Sequence, residues 1–354
     1  MKKATVLNLL LSIAISSALA QTGFPPFGSF EEGRFDAVNR QNLNVNFVIP
    51  MVAVPGRGVG FQFGLSYDSL IWKRSFNSWV PANFTGQSWG WAGTPIGQPY
   101  YNVETVYCGE PPFPVDHFYG YVYVDPAGTR HPFGVDNYSI QTCWTATPTG
   151  FATDNSGYYI DATDPYLPIV YSPGGLKITI YGTLTDTNGN YISNSLVGGD
   201  THWIDTVGRT VLKVSSNAYQ YQVADGTYQT VTVVKQTKAV KTNFQCSGVA
   251  EYTNTAVSLI TRIDLPNGRS YTFEYEQTPS FPTYTTGRIK KVFLPTGGYY
   301  EYEYPAPNNG MNCSDGTVKN LTKRVSPDGV AISTWTFVRT QIDASNWDTT
   351  VTAP

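Results

Sequence analysis

Ile263-Asp264-Leu265-Pro266-Asn267-Gly268 runs directly into Tyr271-Thr272-Phe273-Glu274-Tyr275-Glu276, and the same arrangement returns twice. Val292-Phe293-Leu294-Pro295-Thr296-Gly297 leads into Tyr300-Glu301-Tyr302-Glu303-Tyr304, and Val325-Ser326-Pro327-Asp328-Gly329 leads into Trp335-Thr336-Phe337. Each unit reads as a strand, a Pro-x-Gly turn and an aromatic strand. Tyr, Phe and Trp suit a pleated surface, while Pro fixes and Gly frees the backbone at a turn. The turn glycines step by 29 residues (297 − 268) and then by 32 (329 − 297), the size of a hairpin with loops of variable length. Such a unit cannot bury a face alone and must stack on its neighbours.

The same grammar extends upstream. Asp186-Thr187-Asn188-Gly189-Asn190 follows the run from Leu176 to Leu184, Gly208 interrupts Trp203 to Leu212, and Asp225-Gly226 separates Val223 from Tyr228. Asn-Gly and Asp-Gly are strong short-range hairpin signals. A strip of hairpins is therefore expected over 156–354, turning at Gly189, Gly208, Gly226, Pro266 with Gly268, Pro295 with Gly297, and Pro327 with Gly329. In the region 21–71, Gln21 to Gly33 reads as a flexible lead-in. Beyond it Leu43 to Val48 and Gly60 to Tyr67 alternate around the turn Val54-Pro55-Gly56-Arg57-Gly58. That pattern predicts a hairpin whose apolar face carries Val45, Phe47, Phe61, Phe63 and Leu65. Residues 72–155 differ, with Trp72, Trp79, Trp89 and Trp91 set among Pro, Gly and Asn. They predict an irregular β region in which regular strands return only at Tyr121 to Val124 and Thr129 to Phe133. The expected fold class is all-β, with consecutive antiparallel β-hairpins forming a curved repeat sheet and an irregular aromatic-rich insertion.

Composition agrees, since 25 Tyr, 18 Phe and 8 Trp favour strands while 33 Gly and 24 Pro supply turns. The net charge of −3 among 354 residues lacks the basic excess of a dedicated nucleic-acid binder. Residues 1–20 have the form of a signal peptide. Lys2 and Lys3 precede an apolar run from Val6 to Ala18, and Ala18-Leu19-Ala20 matches a small-x-small cleavage site. The run is shorter than the roughly 20 residues of a membrane span, so no span is expected after cleavage. The product is expected outside the cytoplasm, whether extracellular, on the cell surface or periplasmic. Four cysteines in an exported chain allow three pairings, and proximity favours Cys108 with Cys143 and Cys246 with Cys313. Zinc would require closer ligand pairs than the 35 residues (143 − 108) between the nearest two.

Several units in order carry a resemblance to a known family. Asp186-x-Asn188-Gly189-Asn190, Asp205-x-x-Gly208-Arg209-x-Val211, and Gly287-Arg288-Ile289 through Pro295-x-Gly297-x-x-Tyr300-x-Tyr302 resemble RHS/YD-repeat proteins. Ile49-Pro50, Pro55-Gly56-Arg57-Gly58 and Leu65-Ser66-Tyr67-Asp68-Ser69 are similar to the opening of long bacterial members. The resemblance covers about residues 40–70 and 160–340. It implies a spiral ribbon of hairpins wound into a hollow shell, often at the cell surface and often enclosing a C-terminal effector. Residues 341–354 show no effector motif, so the scaffold part is what is expected to carry over. Val351-Thr352-Ala353-Pro354 brings no closing element; further repeats or a protein covering the C-terminal edge are the expected partners.

Catalytic motifs are weaker. Gly86-Gln87-Ser88-Trp89-Gly90 matches G-x-S-x-G by letter, but Gly93 and Pro95 oppose the helix that a nucleophile elbow needs. Gly56, Gly58 and Gly60 lead into an alternating strand and not a phosphate-binding helix N-terminus. His117, His131 and His202 form no metal motif, and Asp154, Asp161 and Asp164 lack calcium-loop spacing and read as turn caps. Glu274, Glu276, Glu301 and Glu303 are expected on one strand face and the neighbouring tyrosines on the other. No catalytic residue, metal or cofactor is therefore assigned. The expected function is an exported non-enzymatic β-repeat scaffold or cell-surface interaction protein. The alternative is a carbohydrate-binding module or glycosidase that engages a cell-surface glycan through Trp79, Trp89 and Trp91 with nearby acids. Mass spectrometry of the exported product should find Gln21 at its N-terminus; a start at Met1 would overturn the leader assignment.

Overall fold

A computed structural model describes residues 29–354, apart from 57–58, 83–88, 110, 141–143, 224 and 344–345. Residues 1–28, which include the expected leader, lie outside the described residues. The fold is all-β, and seventeen strands from Thr149–Phe151 to Trp347–Thr352 form one sheet in strict sequence order, each antiparallel to the next. The strip begins seven residues before the expected 156, because Thr149–Phe151 pairs with Tyr159–Asp161. One parallel bridge, Val240 with Thr285, departs from the ladder.

One turn recurs along this sheet and beyond it. Among the described residues, eight loops share a bond from a glycine N–H to the carbonyl three residues earlier. The residue bearing that carbonyl then donates to the carbonyl four residues on, as in Gly208 to Asp205 (2.8 Å) and Asp205 to Arg209 (3.0 Å). Gly189, Gly226, Gly268 and Gly297 turn in the same way. This is a three-residue hairpin loop whose last residue is left-handed. Gly208 has φ 81° with nothing within 4 Å of a would-be Cβ, so conformation alone selects glycine there. Pro327-Asp328-Gly329 departs from its two relatives. It opens a longer loop in which Asp328 Oδ1 accepts from the N–H groups of Val330 and Ala331, each at 2.9 Å.

A five-stranded N-terminal sheet covers the apolar face of this ribbon. It contains Phe30–Glu32, Asp36–Asn39, Val45–Val54, Phe61–Asp68 and Trp91–Ala92. Phe30–Glu32 makes a strand of what the sequence predicts as lead-in. Val45, Phe47, Phe61, Phe63 and Leu65 are all buried, as their alternation predicts. Phe47 lies 5.0 Å from Tyr67, 5.8 Å from Trp91 and 6.4 Å from Phe273, measured between ring centroids. Phe63 stacks on Tyr219 at 5.1 Å, and Phe61 meets Trp203 at 6.4 Å. At the other end of the ribbon, Thr349 Oγ1 donates to the Arg40 carbonyl at 2.7 Å. Ten strand steps separate Trp203 from Thr349 in the sheet order, about 48 Å if flat. The strand Val45–Val54 is only about 33 Å long. The ribbon meets both ends of the N-terminal sheet by curling around it.

The region 72–155 is more regular than its composition predicts. Gln98–Cys108 and Phe113–Val124 form a long hairpin, to which Arg130–Pro132 and Asn137–Tyr138 add. Trp72–Ser75 pairs with Ser78–Pro81. Among the described residues, no helix is long and apolar enough to cross a membrane. Replacing Phe47 with Ala should cost about 3–5 kcal/mol through an unfilled core cavity. Gly208→Ala should cost about 1–2 kcal/mol through its left-handed backbone alone. Urea unfolding of the two variants checks that order.

Candidate functional site

The tryptophans proposed from sequence to hold a sugar are core residues. Trp79 and Trp91 are 1% exposed and Trp89 is 9% exposed. Trp79 meets Phe244 edge-on at 5.3 Å, Trp89 meets Trp72 at 5.6 Å, and Trp91 meets Phe273 at 4.9 Å. A ring enclosed in this way presents no free face for a pyranose, which corrects the expectation for Trp79, Trp89 and Trp91. Trp72, Trp79 and Trp89 build a second core with Phe244, Cys246, Val249, Leu259 and Met311. Cys246 and Cys313 are disulfide-bonded beside it, as predicted, with Cα atoms 5.5 Å apart. Cys108 is also disulfide-bonded; its predicted partner Cys143 lies outside the described residues, as do Gly86, Gln87 and Ser88. Trp91–Ala92 that follows them is a strand.

Next to this second core, a bulge overturns the simple face assignment of the glutamates. The register shifts at Glu274/Tyr275 and again at Tyr275/Gln277, which re-aims the side chains that follow. Glu276 is thereby buried and meets Arg288, itself 1% exposed, in a bidentate pair at 2.9 and 3.0 Å. Thr286 donates to the same carboxylate at 2.5 Å, and the guanidinium lies 3.8 Å from the Tyr304 ring centre. A paired and hydrogen-bonded charge of this kind fixes the local arrangement. A second buried pair joins the two sheets: Lys323 Nζ to Asp36 Oδ1 at 2.5 Å, with the Tyr302 hydroxyl donating to Asp36 Oδ2 at 2.9 Å. Burial still holds the Asp36 carboxyl above the ordinary carboxylate range, against the pull of Lys323.

The histidines belong to the hairpin region. His117 lies 2.9 Å from Glu104 and stacks on Tyr138. His131 is 4% exposed and sits between two carboxylates, with Nδ1 2.7 Å from Asp154 and Nε2 3.5 Å from Asp125. Burial alone would lower its pKa, but hydrogen bonds to Asp125 and Asp154, and then their charges, raise it above the usual 6.5. Asp154 Oδ1 accepts from the Ser156 N–H and hydroxyl, Asp161 from the Thr163 N–H and Asp164 from the Tyr166 N–H. These acids cap their own turns as predicted. Among the described residues, no group of three or more His, Cys, Asp or Glu is placed to hold a metal.

A wide cleft forms where the N-terminal strand crosses the edge of the Leu-Pro-x-Gly turns. It has a volume of about 910 Å³, within the range of about 300–1,000 Å³ for small-ligand sites. Tyr300, Lys323 and Val325 make its buried floor, and Phe35, Tyr271 and Trp335 its half-buried walls. Arg34, Arg269, Asn267, Thr296 and Glu32 stand exposed at its rim. A smaller cleft of about 570 Å³, between Lys238, Arg262, Glu274 and Lys290, opens elsewhere on the large sheet. Sequence reasoning marked Pro295 and Tyr300 only as repeat positions and passed over Arg34, Arg269 and Trp335 as functional groups. One signal was available. Arg209 and Arg269 occupy the same turn position, but Arg209 pairs with Asp205 at its turn's start while Leu265 stands in that place for Arg269.

The chain matches no protein-family model and no curated protein, so the reading of this cleft rests on its own geometry. The His131 cluster sets a pH dependence. A folded pKa raised above the unfolded one adds stability that is complete below the unfolded value and is lost as pH rises through the folded value. The urea midpoint should therefore fall as pH rises above the ordinary histidine value of 6.5, and His131→Gln should remove that part of the slope. An identical slope in the variant would show that the cluster does not set it.

Proposed function

We propose that this chain is an exported, non-enzymatic β-hairpin scaffold or cell-surface interaction protein, resembling part of an RHS/YD shell. The observation that carries the reading is the order of the large sheet: seventeen strands follow one another without a crossover and curl around an N-terminal sheet. A ribbon built this way grows by adding hairpins, each burying its face against the last. Its most deeply buried polar groups join sheets and loops to one another. Lys323–Asp36 and Arg288–Glu276 are examples, which fits a packing role. Export rests on the leader-like residues 1–20, and the Cys246–Cys313 bond is compatible with an oxidising compartment.

On this reading the strand Trp347–Thr352, which pairs with Ser333–Gln341 along one side, receives a further hairpin or a partner strand along the other. Main-chain pairing at such an edge supplies affinity without new side-chain chemistry. Protein isolated intact from its native source should form a particle heavier than 39.0 kDa, with cross-links from Trp347–Thr352 to the added strand. A native monomer of that mass or less with an unprotected edge would overturn the scaffold reading.

A further inference from the structure

We infer that the cleft between the N-terminal strand and the Leu-Pro-x-Gly turns binds an acidic saccharide. The charges nearest its floor are already matched, since Lys323 pairs with Asp36 and Glu31 pairs with Arg40. At the rim, the guanidiniums of Arg34 and Arg269 have no hydrogen-bonding or ionic partner among the described residues, the Arg269 backbone N–H alone donating to Asn267 Oδ1, and Glu32 lines the same rim. Two unpaired guanidiniums therefore face one carboxylate around an otherwise neutralised cleft. A guanidinium binds a carboxylate or sulfate through two parallel N–H groups, which selects an anionic ligand.

The walls select its body. Phe35 lies 5.0 Å from Tyr300 and 6.3 Å from Tyr271, ring centre to ring centre, so these rings line one continuous side. Trp335 and Tyr271 stay half-exposed, unlike the enclosed Trp79, Trp89 and Trp91. The C–H face of a sugar ring stacks on such aromatic surfaces, and its hydroxyls require donors and acceptors at the periphery. Asn267, Thr296 and Glu32 provide both there. Lys323 Nζ lies 5.4 Å from the Trp335 ring centre and 5.7 Å from that of Tyr300, and its bond to Asp36 fixes it at the floor. The repeat itself creates the site, because the turns at Leu265 and Leu294 emerge on one edge and Gly33 to Phe35 crosses it. This inference is independent of the scaffold reading, since a shell segment and a free-standing module would both carry the cleft.

Calorimetry with hexasaccharides of galacturonan, alginate, hyaluronan and heparin, against neutral cello- and maltohexaose, tests it. At least one acidic hexasaccharide should bind more tightly than both neutral ones, and raising salt should weaken it. Arg34→Gln with Arg269→Gln should reduce that affinity about tenfold or more. Both side chains are exposed, and an unchanged melting temperature would confirm the variant's fold. Binding of no acidic saccharide, equal binding of neutral and acidic ones, or full affinity in the double variant would overturn the assignment. So would preference for laurate or an acidic peptide over every saccharide.

Discussion

A ribbon made only of consecutive hairpins has one apolar face and nothing of its own to cover it. In this protein the N-terminal sheet supplies the cover, with Phe47 packed among Tyr67, Trp91 and Phe273. The hydrophobic effect is non-directional and scales with area removed from water, so the ribbon gains most by bending until many strands touch the same short sheet. Polar ties then fix the position: Arg209 donates to the Pro55 carbonyl, the Ile289 N–H to the Tyr67 hydroxyl, and Lys323 to Asp36. Curvature, core and registration of the two sheets follow from that single contact surface.

The tryptophan-rich segment solves a second covering problem. Where the strand pair Tyr228–Lys241 and Thr253–Asp264 extends beyond the first core, Trp72, Trp79 and Trp89 fill the space against Val240, Phe244, Val257 and Leu259. The Cys246–Cys313 bond ties two loops of this layer. The bulges around Tyr275 turn Glu276 inward to meet Arg288, and the Trp72 indole N–H donates to the Thr286 carbonyl beside them. The tryptophans concentrated among Pro and Gly thus pack inward, while the half-exposed rings of Tyr271 and Trp335 lie at the turn edge of the repeats.

The alternating hairpin around Phe47 and Phe61, the turns at Gly208 and Gly268 and the Cys246–Cys313 pair were legible because each depends on local chemistry or simple proximity. Period-two alternation names a buried face, and a left-handed turn residue names glycine. The strand Gln98–Cys108 was missed because its exposed middle, Asn102 to Thr105, carries little apolar alternation. Glu276 was placed on the wrong face because a bulge cannot be read from alternation. Pro327-Asp328-Gly329 looked like its relatives, yet Asp328 bonds onward to Val330 and Ala331 and opens the loop.

The sequence by itself determined the all-β class, the hairpin order and the turn positions, since these rest on preferences within a few residues. Only the tertiary structure decided that the ribbon curls on the N-terminal sheet, that Trp79, Trp89 and Trp91 are enclosed, and that Arg34 and Arg269 line one cleft. Those facts depend on contacts between residues tens to hundreds of positions apart, as between Asp36 and Lys323. No local pattern encodes which apolar face meets which, because burial rewards area and not sequence proximity.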